Sequence, residues 1–172
     1  MKISIRTEQP EDRTDIRRIN EAAFGGREEA QIVDMLRESC SDLLSLVAIA
    51  EDRTVGHILF SPVTIEGVEL HPEGMGLAPM AVLPACQGRG VGSRLVRAGL
   101  ERLQKASVPF VVVLGHPNYY PRFGFLPASR YGIRCQWAGV PDSAFMIHVF
   151  EETALKGVLG IARYREEFER GM

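Results

Sequence analysis

Met80-Ala81-Val82-Leu83-Pro84-Ala85-Cys86-Gln87-Gly88-Arg89-Gly90-Val91-Gly92-Ser93-Arg94-Leu95 is the stretch from which the fold is read. A short apolar segment with strand character, Leu77 to Leu83, leads into it, and a segment of helical periodicity leads out to about Ala106. Between them Gly88, Gly90 and Gly92 put three glycines into five residues. Glycine lets the backbone approach a ligand closely and take positive φ at little cost. A helix starting in such a loop points unpaired N–H groups and the positive end of its dipole forward. This arrangement is an anion site, and phosphate is the usual anion.

Spacing excludes two phosphate binders. A dinucleotide fingerprint needs G-x-G-x-x-G, but counting from Gly88 its third glycine falls on Ser93, and the acidic residue wanted about twenty positions on is missing from Ser107-Val108-Pro109-Phe110-Val111. A P-loop needs Gly-Lys-Ser/Thr, and the stretch has no lysine. The bland alternative is a β–α turn that binds nothing. The stretch resembles motif A of the GCN5-related N-acetyltransferases (GNAT), Gln/Arg-x-x-Gly-x-Gly/Ala, through Gln87, Gly90 and Gly92. The resemblance implies that the loop amides from Gln87 through Gly88, Arg89, Gly90, Val91, Gly92 and Ser93 hold the pyrophosphate of acetyl-CoA. It also implies that the backbone of Met80, Ala81 and Val82 pairs with the pantetheine arm.

The 172 residues, 45% hydrophobic and 24% charged, suit one soluble domain with a proper core. A net charge of −2 gives no support to a nucleic-acid partner. No apolar run approaches a membrane span and the N-terminus has no signal-peptide core, so a cytoplasmic protein is expected. Cys40, Cys86 and Cys135 have no C-x-x-C spacing and read as free thiols, with Cys86 a packing residue rather than a nucleophile. No metal is expected.

Along the chain, Ile3 to Thr7 alternates as a half-buried strand, and Pro10 with Glu11 and Asp12 opens a helix whose stripe is Ile16, Ile19 and Ala23. Glu28 to Arg37 is a second helix, which in many acetyltransferases walls the acceptor site. Leu46–Ala50 and Val55–Pro62 form a hairpin, and Ile65-Glu66-Gly67-Val68-Glu69 turns the chain towards the next strand. That strand carries Pro79, which cannot donate to a ladder and marks a bulge or an end of pairing. In the family a bulge here splays this strand, Leu77–Leu83, from the next. Val91, Leu95, Val96, Ala98, Leu100 and Leu103 give the following helix an apolar face, and Phe110–Leu114 is a buried, parallel strand. Phe145–Phe150 is a further strand. The tail from residue 151 to 172, with apolar positions at 161, 164 and 168, is open to docking as a last strand or a short helix, but a segment that only covers a core of about residues 3–150 is the favoured reading. The class expected is α/β (α+β): one mixed sheet of six to seven strands flanked by helices, in a single domain over 1–172.

A second stretch strengthens the resemblance. Tyr119-Tyr120 ahead of Gly124-Phe125 is similar to motif B of the same family, about thirty residues after motif A. The resemblance implies acetyl transfer to a primary amine by direct attack in a ternary complex. It puts Tyr120 where the family carries the acid that protonates the leaving thiolate, and Asn118 beside the cofactor. Tyrosine suits the role, being protonated at neutral pH, and Tyr119 reads as core. Family members with a glutamate base place it on the motif A strand, where this chain has Leu77, Ala78 and Met80. Glu73, before that strand, and His116, after the next, are the two candidates for a base; a water chain with no dedicated base is the other route. A CoA-binding regulatory module without catalysis is the alternative reading. The acceptor is unnamed by the sequence. Homodimers are common in this fold, and no interface is marked.

Overall fold

The computed structural model describes residues 1–67, 69 and 71–170. The order is β1 (Ile3–Thr7), α1 (Arg13–Phe24), α2 (Glu28–Ser39), β2 (Leu44–Ala50), β3 (Arg53–Gly67), β4 (Glu73–Val82), α3 (Val91–Lys105), β5 (Phe110–Leu114), β6 (Leu126–Pro127), β7 (Ile133–Cys135), β8 (Phe145–Val149), β9 (Gly160–Arg163) and α4 (Glu167–Arg170). The nine strands among the described residues form one mixed sheet in the order β1-β2-β3-β4-β5-β8-β6, with β9 on β3 and β7 on β9. Two or three more strands are present than the sequence predicted. The additions, β6, β7 and β9, are two to four residues long and too short to leave a periodicity.

The chain divides into two compact units, one of residues 1–61, 78–101 and 166–172, the other of residues 62–77 and 102–165. In the first, β1, β2 and β3 are antiparallel, with Ile3 across from Ala50 and Leu44 across from Phe60. Pro10–Asp12 form a short 3-10 turn ahead of α1, so the helix proper starts later than Pro10. Asp12 fixes that entry: its Oδ2 accepts from the Gln9 amide at 2.7 Å and from Arg6 at 2.6 Å. The buried stripe of α1 is Ile16, Ile19 and Asn20; Ala23 is only half-buried. Gly25, at φ 76°, ends the helix in the left-handed region, which glycine takes without strain. Ala30, Val33 and Leu36 face inward from α2, and Arg37 carries polar contacts instead.

The faces of β3 alternate between helices. Gly56 lies against α3, where an added Cβ would come 2.9 Å from Val91 Cγ1 and 3.1 Å from Leu95 Cδ1. Its neighbour His57 reaches Asn20 of α1. Val91, Leu95, Val96 and Leu100 are buried, each contributing ~1.5–3 kcal/mol. Gly99 permits this approach, since a Cβ there would sit 2.3 Å from Phe60 Cε2.

In the second unit β4 and β5 are parallel over three pairs, Met75–Val111, Gly76–Val112 and Leu77–Val113. Pairing ends at Leu77, one residue before the cis Ala78–Pro79 bond. The strand begins at Glu73 rather than Leu77 because Gly74 and Gly76 allow close packing: added Cβ atoms would lie 2.5 Å from Phe110 and 2.7 Å from Tyr164 and Val63. Leu114, expected buried with the rest of β5, is exposed. Ile65, Glu66 and Gly67, read as a turn, instead extend β3, because Thr64–Gly67 pair with β9. Val68 of that expected turn lies outside the described residues. The tail therefore does more than cover a core. Its β9 is a sheet member, antiparallel to β3 and parallel to β7.

Candidate active site

The motif A stretch runs from β4 through a 3-10 turn, Pro84–Cys86, into the loop and α3. Gln87 anchors the loop backwards: its Nε2 donates to the Val82 carbonyl at 3.0 Å, and the Leu83 amide donates to Val55 on β3 at 2.9 Å. Gly88 and Gly90 have φ of 72° and 83°. Space does not explain them, since added Cβ atoms would meet nothing within 4 Å; the left-handed backbone does. The helix opens with Arg94 N–H on the Gly90 carbonyl at 3.1 Å. The amides of its first turn have no partner within a helix by construction. Val91 is buried as the anchor of that turn, Gly92 and Ser93 are half-buried, and Gly88, Arg89 and Gly90 are exposed. Arg94 reaches across to β1, its Nη1 donating to the Ile3 carbonyl at 2.8 Å. The loop is thus an exposed, preformed cradle of backbone donors at a helix N-terminus.

Motif B builds a separate aromatic seat. Tyr120 is 7% exposed, edge-on to Tyr119 (centroids 5.1 Å) and Phe125 (5.6 Å). Gly115 makes room for the ring, since a Cβ there would lie 2.4 Å from Tyr120 Cε2. Burial, with a smaller contribution from neighbouring Tyr119, pushes the Tyr120 phenol above its ordinary pKa, so it stays protonated at neutral pH. Tyr119 is half-buried rather than core, with the Arg122 guanidinium 4.7 Å above its ring.

A family model described as an acetyltransferase (GNAT) domain matches residues 4–128. The chain belongs to the GNAT acetyltransferase family. It is 38% identical over 167 residues to YhbS of Escherichia coli K12, described as an uncharacterized N-acetyltransferase, across 96% of this chain and 98% of that one. The crystal structure of E. coli YhbS in complex with CoA matches with a TM-score of 0.90 at 36% identity, over 99% of this chain and 93% of that one. A GNAT acetyltransferase from Brucella melitensis in complex with acetyl-CoA gives 0.80 at 36% identity, over 97% and 98%.

In this GNAT chain Met80 and Val82 are half-buried and Ala81 buried on β4, next to the cradle they lead into. His116 and Tyr120 are joined through the backbone, the His116 carbonyl accepting from the Tyr119 amide at 3.1 Å and from Tyr120 at 3.4 Å. The His116 side chain is exposed, and so is that of Asn118, whose carbonyl accepts from Arg122 at 3.5 Å. Glu73 is exposed at the start of β4, and no described contact joins it to Tyr120. Cys40, Cys86 and Cys135 are free thiols, each half-buried. No group of His, Cys, Asp or Glu fit to hold a metal ion occurs among the described residues, and no helix among them is long and apolar enough to cross a membrane.

Sequence reading missed a polar network in the first unit. Asn20 Nδ2 donates to the Ile16 carbonyl at 2.9 Å and lies 3.1 Å from His57 Nδ1. With the amide nitrogen fixed by Ile16, Nδ1 must accept, so the proton sits on Nε2 and is donated to Ser45 Oγ at 3.0 Å. The Ser45 hydroxyl donates in turn to Glu8 Oε2, and Arg37 holds Glu8 Oε1 at 2.8 Å through Nε and 2.6 Å through Nη2. Burial above all, and then the Arg37 charge, pull His57 down to about 3. His57 is therefore neutral and no base for chemistry at neutral pH. Asn20 on an apolar stripe and His57 within an apolar strand are the signals that pointed this way.

Proposed function

We propose that the protein is an acetyl-CoA-dependent N-acetyltransferase that moves the acetyl group to a primary amine by direct attack in a ternary complex. The observation that carries the reading is the cradle: positive-φ Gly88 and Gly90, open above, at the start of α3. The CoA and acetyl-CoA held by the E. coli and Brucella structures support it. The amides of residues 87–93 hold the pyrophosphate, with the Arg89 side chain exposed beside it and Gln87 bracing the loop. Met80, Ala81 and Val82 pair with the pantetheine through their backbone, and an amide there faces the developing oxyanion.

The amine nitrogen bonds to the thioester carbon, the C–S bond breaks, and the Tyr120 hydroxyl gives its proton to the departing thiolate; water then restores the phenol. Asn118 lies on the same loop as Tyr120 and is assigned to the cofactor. Glu73 and His116, the two base candidates, have exposed side chains. Residues 77–82 of β4 carry no ionisable group. A water chain is the proton route this strand favours, with Glu73 and His116 the alternative bases. Free thiols and the absence of a spanning helix among the described residues fit a cytosolic setting.

The lack of a carboxylate over residues 77–82 of β4 also favours a second reading, a module that binds CoA without turnover. Two measurements separate them. Acetyl-CoA, but not ATP or NAD, raises the melting temperature if the cradle takes CoA, and a rise with ATP or NAD alone overturns both readings. Acceptor-dependent release of free CoA thiol across an amine panel supports the enzyme; tight acetyl-CoA binding with no thiol release from any amine supports the module.

A further inference from the structure

The network of Glu8, Ser45 and Arg37 does not end in packed core. It forms one side of a cleft of about 310 Å³ that opens at the ends of β1 and β2, beneath α2. Val33 of α2 and Leu59 of β3 supply an apolar side, and Arg13, the first residue of α1, stands at the rim. The volume suits a small organic molecule, at the lower end of the range for ligand pockets.

The charges in it are arranged unequally. Glu8 and Arg37 have side chains only 12% and 16% exposed and neutralise each other through the 2.6 Å contact. Ser45 occupies the second oxygen of Glu8, and Asp34 holds Arg37 Nη1 at 2.8 Å, so both groups are fixed. Arg13 is different: it is exposed, and none of the described hydrogen bonds or ion pairs uses its guanidinium. The cleft therefore offers one uncommitted cation beside a fixed, internally balanced pair. A guanidinium presents a planar fork that matches a carboxylate in geometry as well as charge. An apolar wall opposite suits a short carbon chain. The wall residue Leu59 lies on β3, the strand next to β4, which carries Met80–Val82.

Resting on the acetyltransferase reading, we infer that this cleft holds the carboxylate end of the acceptor, whose class is a small amine that bears a carboxylate: an amino acid or a close relative. Arg13 binds the carboxylate, and the chain lies over Val33 and Leu59 towards β4.

The test uses the full chain and matched amines that differ only in the carboxylate: lysine against cadaverine, and phenylalanine against phenethylamine. Thiol release gives kcat/KM for each. For pairs that are not turned over, calorimetric titration into the CoA-loaded protein gives the affinity. The expected result is a preference of about tenfold or more for the carboxylate-bearing member. Arg13→Ala collapses that ratio and Arg13→Lys restores part of it, a point charge replacing the fork. Arg13 is exposed, so the variants fold. Equal or better handling of the decarboxylated members by the wild type overturns the inference, as does a ratio unchanged in Arg13→Ala. Loss of acetyl-CoA binding by the wild type strikes at the acetyltransferase reading instead, and an acetyl-CoA titration on the same sample tells the two failures apart.

Discussion

Replacing Gly99 by alanine sets two effects of known size against each other. In an exposed helix the change is favourable, by ~1 kcal/mol, because glycine is the poorer helix former. At this position the new methyl would meet Phe60 at 2.3 Å from Cε2 and 2.4 Å from Cζ, more than 1 Å inside ordinary contact. Phe60 is fully buried on β3, so its ring has no open space to swing into. Overpacking of this kind typically costs ~1–3 kcal/mol, and the depth of the overlap argues for the upper end. The net expectation is a loss of ~2 kcal/mol, which for a chain of this length lowers the melting temperature by about 4–8 °C. Urea denaturation followed by circular dichroism should show a lower midpoint at unchanged slope. Relief of the clash lifts α3 from the sheet and with it the amides at its N-terminus, so acetyl-CoA affinity should fall alongside. A variant with a midpoint at or above that of the wild type would refute the reasoning: helix propensity would then outweigh packing, and the close seat of α3 would not need a glycine.

Three further outcomes are expected. Tyr120→Phe keeps the buried ring and removes its proton; kcat should fall by the small end of ~10²–10⁴, since a thiol leaves fairly well unaided, while acetyl-CoA affinity holds in a binding titration. Undiminished kcat would remove Tyr120 from the chemistry. Gly90→Ala adds no clash but strains a residue at φ 83°, so acetyl-CoA affinity should drop about tenfold, and Gly90→Asn, which tolerates that backbone better, should recover part of it; equal affinity for all three would mean the loop binds nothing. His57 is held neutral in the fold with its pKa lowered to about 3, against 6.5 when unfolded. Between those values the unfolded chain binds the extra proton, so stability falls as the pH drops below 6.5, by up to ~1.4 kcal/mol per pH unit, and His57→Gln should flatten that slope in denaturation curves taken from pH 7 to 4.

The centre of the chain was legible because its signals are local. Gly88 and Gly90 sit two residues apart with positive φ, and the apolar spacing of Val91, Leu95 and Val96 lies within one helix. Pro79 announced the end of strand pairing two residues after Leu77, where the ladder with β5 stops. What the sequence hid is long-range. The extension of β3 to Gly67 depends on β9, nearly a hundred residues later, so its pattern looked like a turn. The extra length of β4 depends on Gly74 and Gly76 being pressed by Phe110 and Tyr164. The Glu8–Ser45–His57–Asn20 network draws one residue from each of four segments, and each alone is an ordinary polar residue. Tyr120 was placed by its motif; the room that Gly115 makes for it was not visible.

The last strand carries a practical consequence. β9 lies between β3 and β7, and at Gly160 it runs so close that an added Cβ would sit 2.3 Å from the Glu66 carbonyl. It therefore closes the hydrogen-bonding edge of β3 at Thr64–Gly67 and that of β7 at Ile133–Cys135. The region matched by the family model ends at residue 128, and an expression fragment cut there, or anywhere before Gly160, would leave β3 with a row of open amides and carbonyls. Such edges recruit further strands from other copies. A shortened chain is accordingly expected to form aggregates even where its acetyl-CoA loop is intact, and the boundary for producing this protein is set by its final strand rather than by its motifs.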